Sequence, residues 1–185
     1  MERAVLISIR PEWVKKILTG EKISEIRKSI PKYESSIRVF IYCTQGKPNL
    51  YIPQEFNAFE LDDSSKPYFA KKPILEECDY LANGKVVAEF TLKSHNKFDY
   101  DGLRFFDMKD IILEHSCLTD EQLCNYIQDG IGYAWHIKNL IVYDKPKELH
   151  EFGVYDVRWS KARKCEMPGW FPLKRPPQSW CYVEK

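Results

Sequence analysis

A mixed α+β fold built around a small barrel or curved sheet is the architecture this chain predicts. Short apolar segments of strand length recur between turn signals, only two stretches carry a complete helical signature, and neither an internal repeat nor a low-complexity segment is visible. At 185 residues the chain suits a single domain, 1–185, long enough to bury roughly two thirds of its unfolded surface without staples.

The elements follow in order. Ala4–Ile9 is almost continuously apolar, as a central strand covered on both faces must be. It runs directly into a helix: Pro11 fits the first turn, Trp13, Val14, Ile17 and Leu18 fall on one face, and Gly20 is a natural stop. Glu25–Arg27 reads as a brief extended segment. Ile37–Cys43 reads as a strand with Ile37, Val39, Ile41 and Cys43 on one side and Arg38, Phe40 and Tyr42 on the other. Residues 45–82, broken by Pro48, Pro53, Pro67 and Pro73, fit neither period and are expected to form an irregular insertion or flap. Asn83-Gly84 is a turn signal, after which Lys85–Leu92 is expected to point Val86, Ala88, Phe90 and Leu92 inward and Val87, Glu89 and Thr91 outward. Thr119-Asp120-Glu121-Gln122 matches a capping box, so a helix is expected from Asp120 to Gln128 with a stop at Gly130. Tyr133–Tyr143 looks like one long or broken strand, Val157–Gly169 is basic and turn-rich, and Gln178–Val183 is a closing strand.

Composition excludes several classes. With 44% hydrophobic and 30% charged residues, and no apolar run near the roughly 20 residues of a membrane span, no membrane role is expected. The first ten residues hold an apolar run too short for a signal-peptide core and lack a small-residue cleavage site, so a cytoplasmic location is expected. Six scattered cysteines, with neither a Cys-x-x-Cys pair nor a cysteine–histidine cluster at zinc spacing, predict reduced thiols; no metal site and no cofactor are assigned. The net charge of +1 hides an asymmetry: residues 1–50 carry ten Lys/Arg against five Asp/Glu, residues 51–157 eleven against twenty, and residues 158–175 six against one. If the two basic segments meet in space, they form a face that attracts phosphates at modest salt; otherwise the charges are simply solvated.

The densest chemistry follows the first helix, in Gly20-Glu21-Lys22-Ile23-Ser24-Glu25-Ile26-Arg27-Lys28-Ser29. Alternate residues of an extended segment share a face, so Glu25 and Arg27 should project together, with Lys22 at the turn before them. A carboxylate between two cations suits acid–base chemistry or recognition of an anion; a solvated ion-pair ladder is the plain alternative.

The pattern Gly20-x-Lys22-x-x-Glu25-x-Arg27, after a strand and a Trp-bearing helix, resembles the signature of the ASCH domain, a member of the PUA-like superfamily named for activating signal cointegrator homology. The segments Ile7-Ser8-Ile9-Arg10-Pro11, Gly84-Lys85-Val86-Val87-Ala88-Glu89-Phe90, Gly132-Tyr133-Ala134-Trp135-His136-Ile137 and Pro176-Pro177-Gln178-Ser179-Trp180-Cys181 are similar to a phage- and bacteria-associated branch of that family. The resemblance implies a PUA-like small β-barrel with a helix packed over it and a few additional helices, with a cleft where the motif meets the barrel strands; beside it, residues 45–82 and a basic C-terminal stretch at 153–172 look like elaborations. It implies RNA, a nucleotide or a modified nucleoside as partner; protein partners are left open. One bacterial branch hydrolyses N4-acetylcytidine with a lysine, a threonine nucleophile and a glutamate, and other members are reported as ribonucleases. Lys22 matches that lysine, whereas Glu25 stands where that branch has its threonine, and Ser24, one residue away, should point to the other side.

Two readings result. In the first, the chain holds RNA or a nucleotide: Lys22, Arg27 and Arg10 meet phosphate, Glu25 accepts from a base edge, and aromatics among Tyr42, Tyr133, Trp135 and Trp180 stack a base, unless they are core. Glu89 is a second carboxylate candidate, and His136 is the one candidate whose ordinary pKa lies near neutrality. In the second, the chain is an enzyme, an amidohydrolase on an acylated base or a ribonuclease, with Lys22 and Glu25 as the catalytic pair.

Overall fold

Arg3–Ile9 (β1) is buried along six of its seven residues, as its apolar run requires, because it lies in the middle of a sheet covered on both sides. The computed structural model describes residues 2–52, 80–99, 103–128, 130–160 and 162–184. After β1 come a helix at Pro11–Leu18 (α1), Ser24–Arg27 (β2), Ile37–Cys43 (β3), Tyr51–Ile52 (β4), Tyr80–Leu81 (β5), Val86–Leu92 (β6) and His95–Asp99 (β7). Two helices, Leu103–Ser116 (α2) and Asp120–Ile127 (α3), lead to Ile131–His136 (β8) and Lys138–Lys147 (β9). Gly153–Ser160 (β10), Cys165–Pro172 (β11) and Trp180–Glu184 (β12) follow.

Seven strands pair in the order β11-β10-β12-β1-β3-β6-β9, and three more in the order β2-β8-β7. The class is α+β, as expected. The large sheet is not closed into a barrel: β11 and β9 are its edges, and β8, which would continue from β9, pairs instead with β2 and β7. Among the described pairings β1 and β3 are the parallel pair, joined through α1 and β2.

Alternation decides what each face meets. Val5, Ile7, Val39, Ile41, Ala88 and Phe90 pack with Val14, Ile17 and Leu18 of α1 and with Trp135 of β8, each fully buried apolar side chain stabilising by about 1.5–3 kcal/mol. The other face carries Ala4, Leu6, Phe40, Tyr42, Val86 and Val183 under Phe152. A third cluster joins the outer face of the small sheet (Ile26, Phe98, Ala134) to Ile112 of α2 and Leu123 and Ile127 of α3. The small sheet is thus sandwiched between the main core and two helices.

Several expectations change. The stretch 133–143 is two strands, broken at Ile137, whose N–H goes to Ile23 O at 3.0 Å. Val86 faces away from Ala88, Phe90 and Leu92, because the β6–β9 register shifts between Val86 and Ala88. The turn-rich reading of Val157–Gly169 gives way to a regular ladder from Gly153↔Pro172 to Ser160↔Cys165. Only the ends of the 45–82 insertion are described: β4 pairs with β5 there, and residues 53–79 lie outside the described residues. Among the described residues no helix is long and apolar enough to cross a membrane. Cys43, Cys117, Cys124, Cys165 and Cys181 are free thiols.

Candidate functional site

The motif lands where two layers meet. Gly20, at φ 70°, turns the chain at the end of α1, and Lys22 N then donates to Lys16 O at 2.9 Å, so the lysine leaves the helix pointing inward. β2 pairs with β8 in the register Glu25↔Trp135, which turns Glu25 and Arg27 toward β1 and Ser24 and Ile26 toward the other side.

The three charges converge. Glu25 Oε2 lies 3.2 Å from Lys22 Nζ and Oε1 lies 2.9 Å from Arg27 Nη2, with all three side chains at most 10% exposed. Lys22 Nζ also donates to Ser116 O at the end of α2 (2.8 Å), and Arg27 Nη2 donates to Ser8 O in β1 (2.8 Å). One cluster therefore ties β1, β2 and α2 together. It is a buried network, not a solvated ladder, and it leaves one net positive charge. Arg27 Nε and Trp135 Nε1 are buried donors without an acceptor among the described residues, a situation that costs about 1–3 kcal/mol per group.

Above the trio opens a cleft of about 790 Å³, within the range of small-molecule sites. Its floor holds Ser8, Lys22, Glu25 and Arg27; Arg10, Glu12 and Trp13 form one lip. Gln122, Asn125 and Tyr126, at i, i+3 and i+4 of α3, form another, while Leu123 and Ile127 hold that helix to the core. Pro176, Pro177 and Gln178 complete the wall, fixed by Ser8 Oγ donating to Pro177 O (2.6 Å) and Ser8 N donating to Ser179 O (2.9 Å). Trp13 sits over Lys22 Nζ at 5.5 Å. The Tyr126 hydroxyl is pushed above its ordinary pKa, first by burial and then by Glu25, against the pull of Arg27, so it remains a neutral hydrogen-bond donor.

Of the residues singled out from sequence, Arg10, Lys22, Glu25 and Arg27 are brought together here. The others lie elsewhere. Tyr42 and Glu89 are on the face of the large sheet opposite α1, where Glu89 accepts from Tyr143 Oη and stands 3.8 Å from Arg38 Nε. Trp135 is fully buried in the core beside Glu25, and Trp180 packs edge-on against it at 6.0 Å while donating to Ser29 Oγ. Tyr133 packs against the same core. His136 faces the small sheet, where Nε2 meets Asn96 Oδ1 at 2.7 Å and Nδ1 meets Ser24 Oγ at 3.3 Å. Burial, then His115, Lys138 and His95, push its pKa below the ordinary value. Among the described residues no group of three or more His, Cys, Asp or Glu is placed to hold a metal.

Sequence reasoning passed over Ser8, Thr44, Trp13 and the α3 residues. In the sequence Trp13 reads as apolar helix face, and the i, i+3, i+4 spacing of Gln122, Asn125 and Tyr126 opposite Leu123 and Ile127 is the signal that points to the α3 lip.

No protein-family model matches the chain, and no curated protein does. Solved structures do. An ASCH protein from Zymomonas mobilis aligns with 98% of this chain and 88% of its own length, at TM-score 0.50 and 17% identity. Structures of two point variants of that protein align with 98% of this chain at TM-score 0.51, one at 17% identity over 91% of its length and the other at 16% over 89%. Those matches cover nearly the whole chain, and the chain accordingly has the fold of these ASCH structures.

Proposed function

We propose that the chain binds RNA or a nucleotide in the cleft over Lys22, Glu25 and Arg27. The observation that carries this reading is a buried three-charge network at the floor of an open cleft. Desolvating three charges can cost more than their mutual attraction returns, and apolar residues of similar volume often serve a fold as well or better, so such a cluster is weak evidence of a purely structural role. A net positive floor with exposed Arg10 at the lip suits a phosphate or a polarised base edge. Trp13 and Tyr126 offer ring faces for a base, and Gln122 and Asn125 offer amides to its edge.

Holding is favoured over hydrolysis. Both oxygens of Glu25 are already engaged by cations, so the carboxylate has little freedom to take a proton from water. Calorimetric titration with cytidine and uridine monophosphates and with short single-stranded RNA tests the reading. Binding is expected, weakening as salt rises, and Arg10→Ala is expected to weaken it by about fivefold with stability unchanged. Absence of salt-sensitive binding overturns it. Turnover of N4-acetylcytidine or labelled RNA that disappears in Glu25→Gln replaces it with the hydrolase reading.

A further inference from the structure

The β10–β11 hairpin stands apart from the cores described above. Its ladder runs for eight pairs, but among the described residues its one registered pairing with the rest of the large sheet is Gly153↔Glu184. The base is anchored where Trp170 lies on Gly153: a Cβ there would fall 2.7 Å from the indole and 2.4 Å from Phe171 O. Beyond that anchor the arm projects with one face in solvent. Tyr155↔Trp170, Val157↔Pro168 and Trp159↔Glu166 share this face, and Tyr155, Val157 and Trp159 are 53%, 55% and 63% exposed.

So much exposed aromatic surface in one place marks a contact site, and charge says with what. Residues 158–175 carry six Lys/Arg against one Asp/Glu, including exposed Arg163 and Lys164 at the tip and Lys174 and Arg175 at the base. A second copy of the chain would set two such arms against each other, like charge on like. A polyanion that also presents flat π faces matches both features. Arg175 immediately precedes Pro176 and Pro177, so the chain leaving the arm becomes the cleft wall, and from Pro172 to Pro176 it covers at most about 14 Å.

We infer that the β10–β11 hairpin is a second binding surface, an arm that stacks bases of a single-stranded nucleic acid on Tyr155, Trp159 and Trp170 while Arg163, Lys164, Lys174 and Arg175 meet its phosphates. The inference deepens the reading of the cleft: the ligand is a strand that continues past the cleft onto the arm, not a lone nucleotide.

Fluorescence anisotropy with labelled oligouridine and oligothymidine of about twelve nucleotides, beside calorimetry with cytidine monophosphate, tests it. The double variant Tyr155→Ala/Trp159→Ala is expected to bind the oligonucleotides at least about tenfold more weakly and the mononucleotide unchanged. Arg163→Gln/Lys164→Gln is expected to flatten the salt dependence of oligonucleotide binding by roughly 1 in logarithmic slope. A preference between the two oligonucleotides tells which combination of sugar and pyrimidine the arm favours, and either order supports it. Oligonucleotide affinity indifferent to the aromatic pair overturns the inference, as does a wild-type dimer in sedimentation that the aromatic substitutions dissolve, which would assign the face to a second copy. Mononucleotide binding without any strand binding defeats the arm and leaves the cleft reading standing; no binding of either defeats both.

Discussion

Glu25 holds a buried charge cluster together. Its carboxylate is the only counter-charge that the described residues place against both Lys22 and Arg27, so Glu25→Gln leaves two buried cations facing each other. Urea unfolding should report a loss of about 3 kcal/mol; a loss under about 1 kcal/mol would mean the trio is solvated. Gly132 is constrained by shape instead: a Cβ would meet the Phe98 ring at 2.3–2.9 Å, so Gly132→Ala should cost about 1–3 kcal/mol in the same measurement. His136 supplies a pH dependence. Its pKa is lowered in the fold, so the unfolded chain takes up the proton first; stability is complete above the ordinary histidine value of about 6.5 and declines as pH falls below it. Unfolding midpoints between about pH 7.5 and 5 should fall in the wild type, and less steeply in His136→Gln. The motif was legible because three charges within six positions serve no core. Tyr42, Trp135 and Trp180 were not, since in a sheet covered on both faces an aromatic reads the same whichever way it points.

Among the elements, α3 joins stability to the cleft. Thr119 Oγ1 accepts from Gln122 N at 3.2 Å and Gln122 Oε1 accepts from Thr119 N at 3.0 Å, the reciprocal cap visible in the sequence. Thr119→Ala should lower stability by about 1 kcal/mol and, because the same helix presents Asn125 and Tyr126, weaken nucleotide binding as well. Thermal melting and titration on one preparation check both; a melting loss with unchanged binding would separate α3 from the ligand. Capping residues and strict periodicity made α1 and α3 readable. α2 was missed because Ile111, Ile112 and Leu113 run consecutively, only Ile112 of the three being fully buried, so no helical stripe forms. β7 escaped for a different reason: its one fully buried residue is Phe98, and the rest is polar edge.

At the level of the whole molecule, the cleft lies outside the carboxyl ends of β1 and β3, where Ser8, Ile9, Arg10 and Thr44 emerge together. Class, central strands and motif were readable from the chain; closure was not, because whether β9 continues into a barrel depends on where β8 finds a partner, and only the packing of Trp135 and Ile26 on opposite sides of the small sheet decides that. The contact between Ser8 and Pro177, 169 positions apart, has a consequence for biosynthesis. A nascent chain on the ribosome displays Lys22, Glu25 and Arg27 early, yet Pro176, Pro177 and Gln178 are made far later, so the cleft is walled only once both segments have left the ribosome.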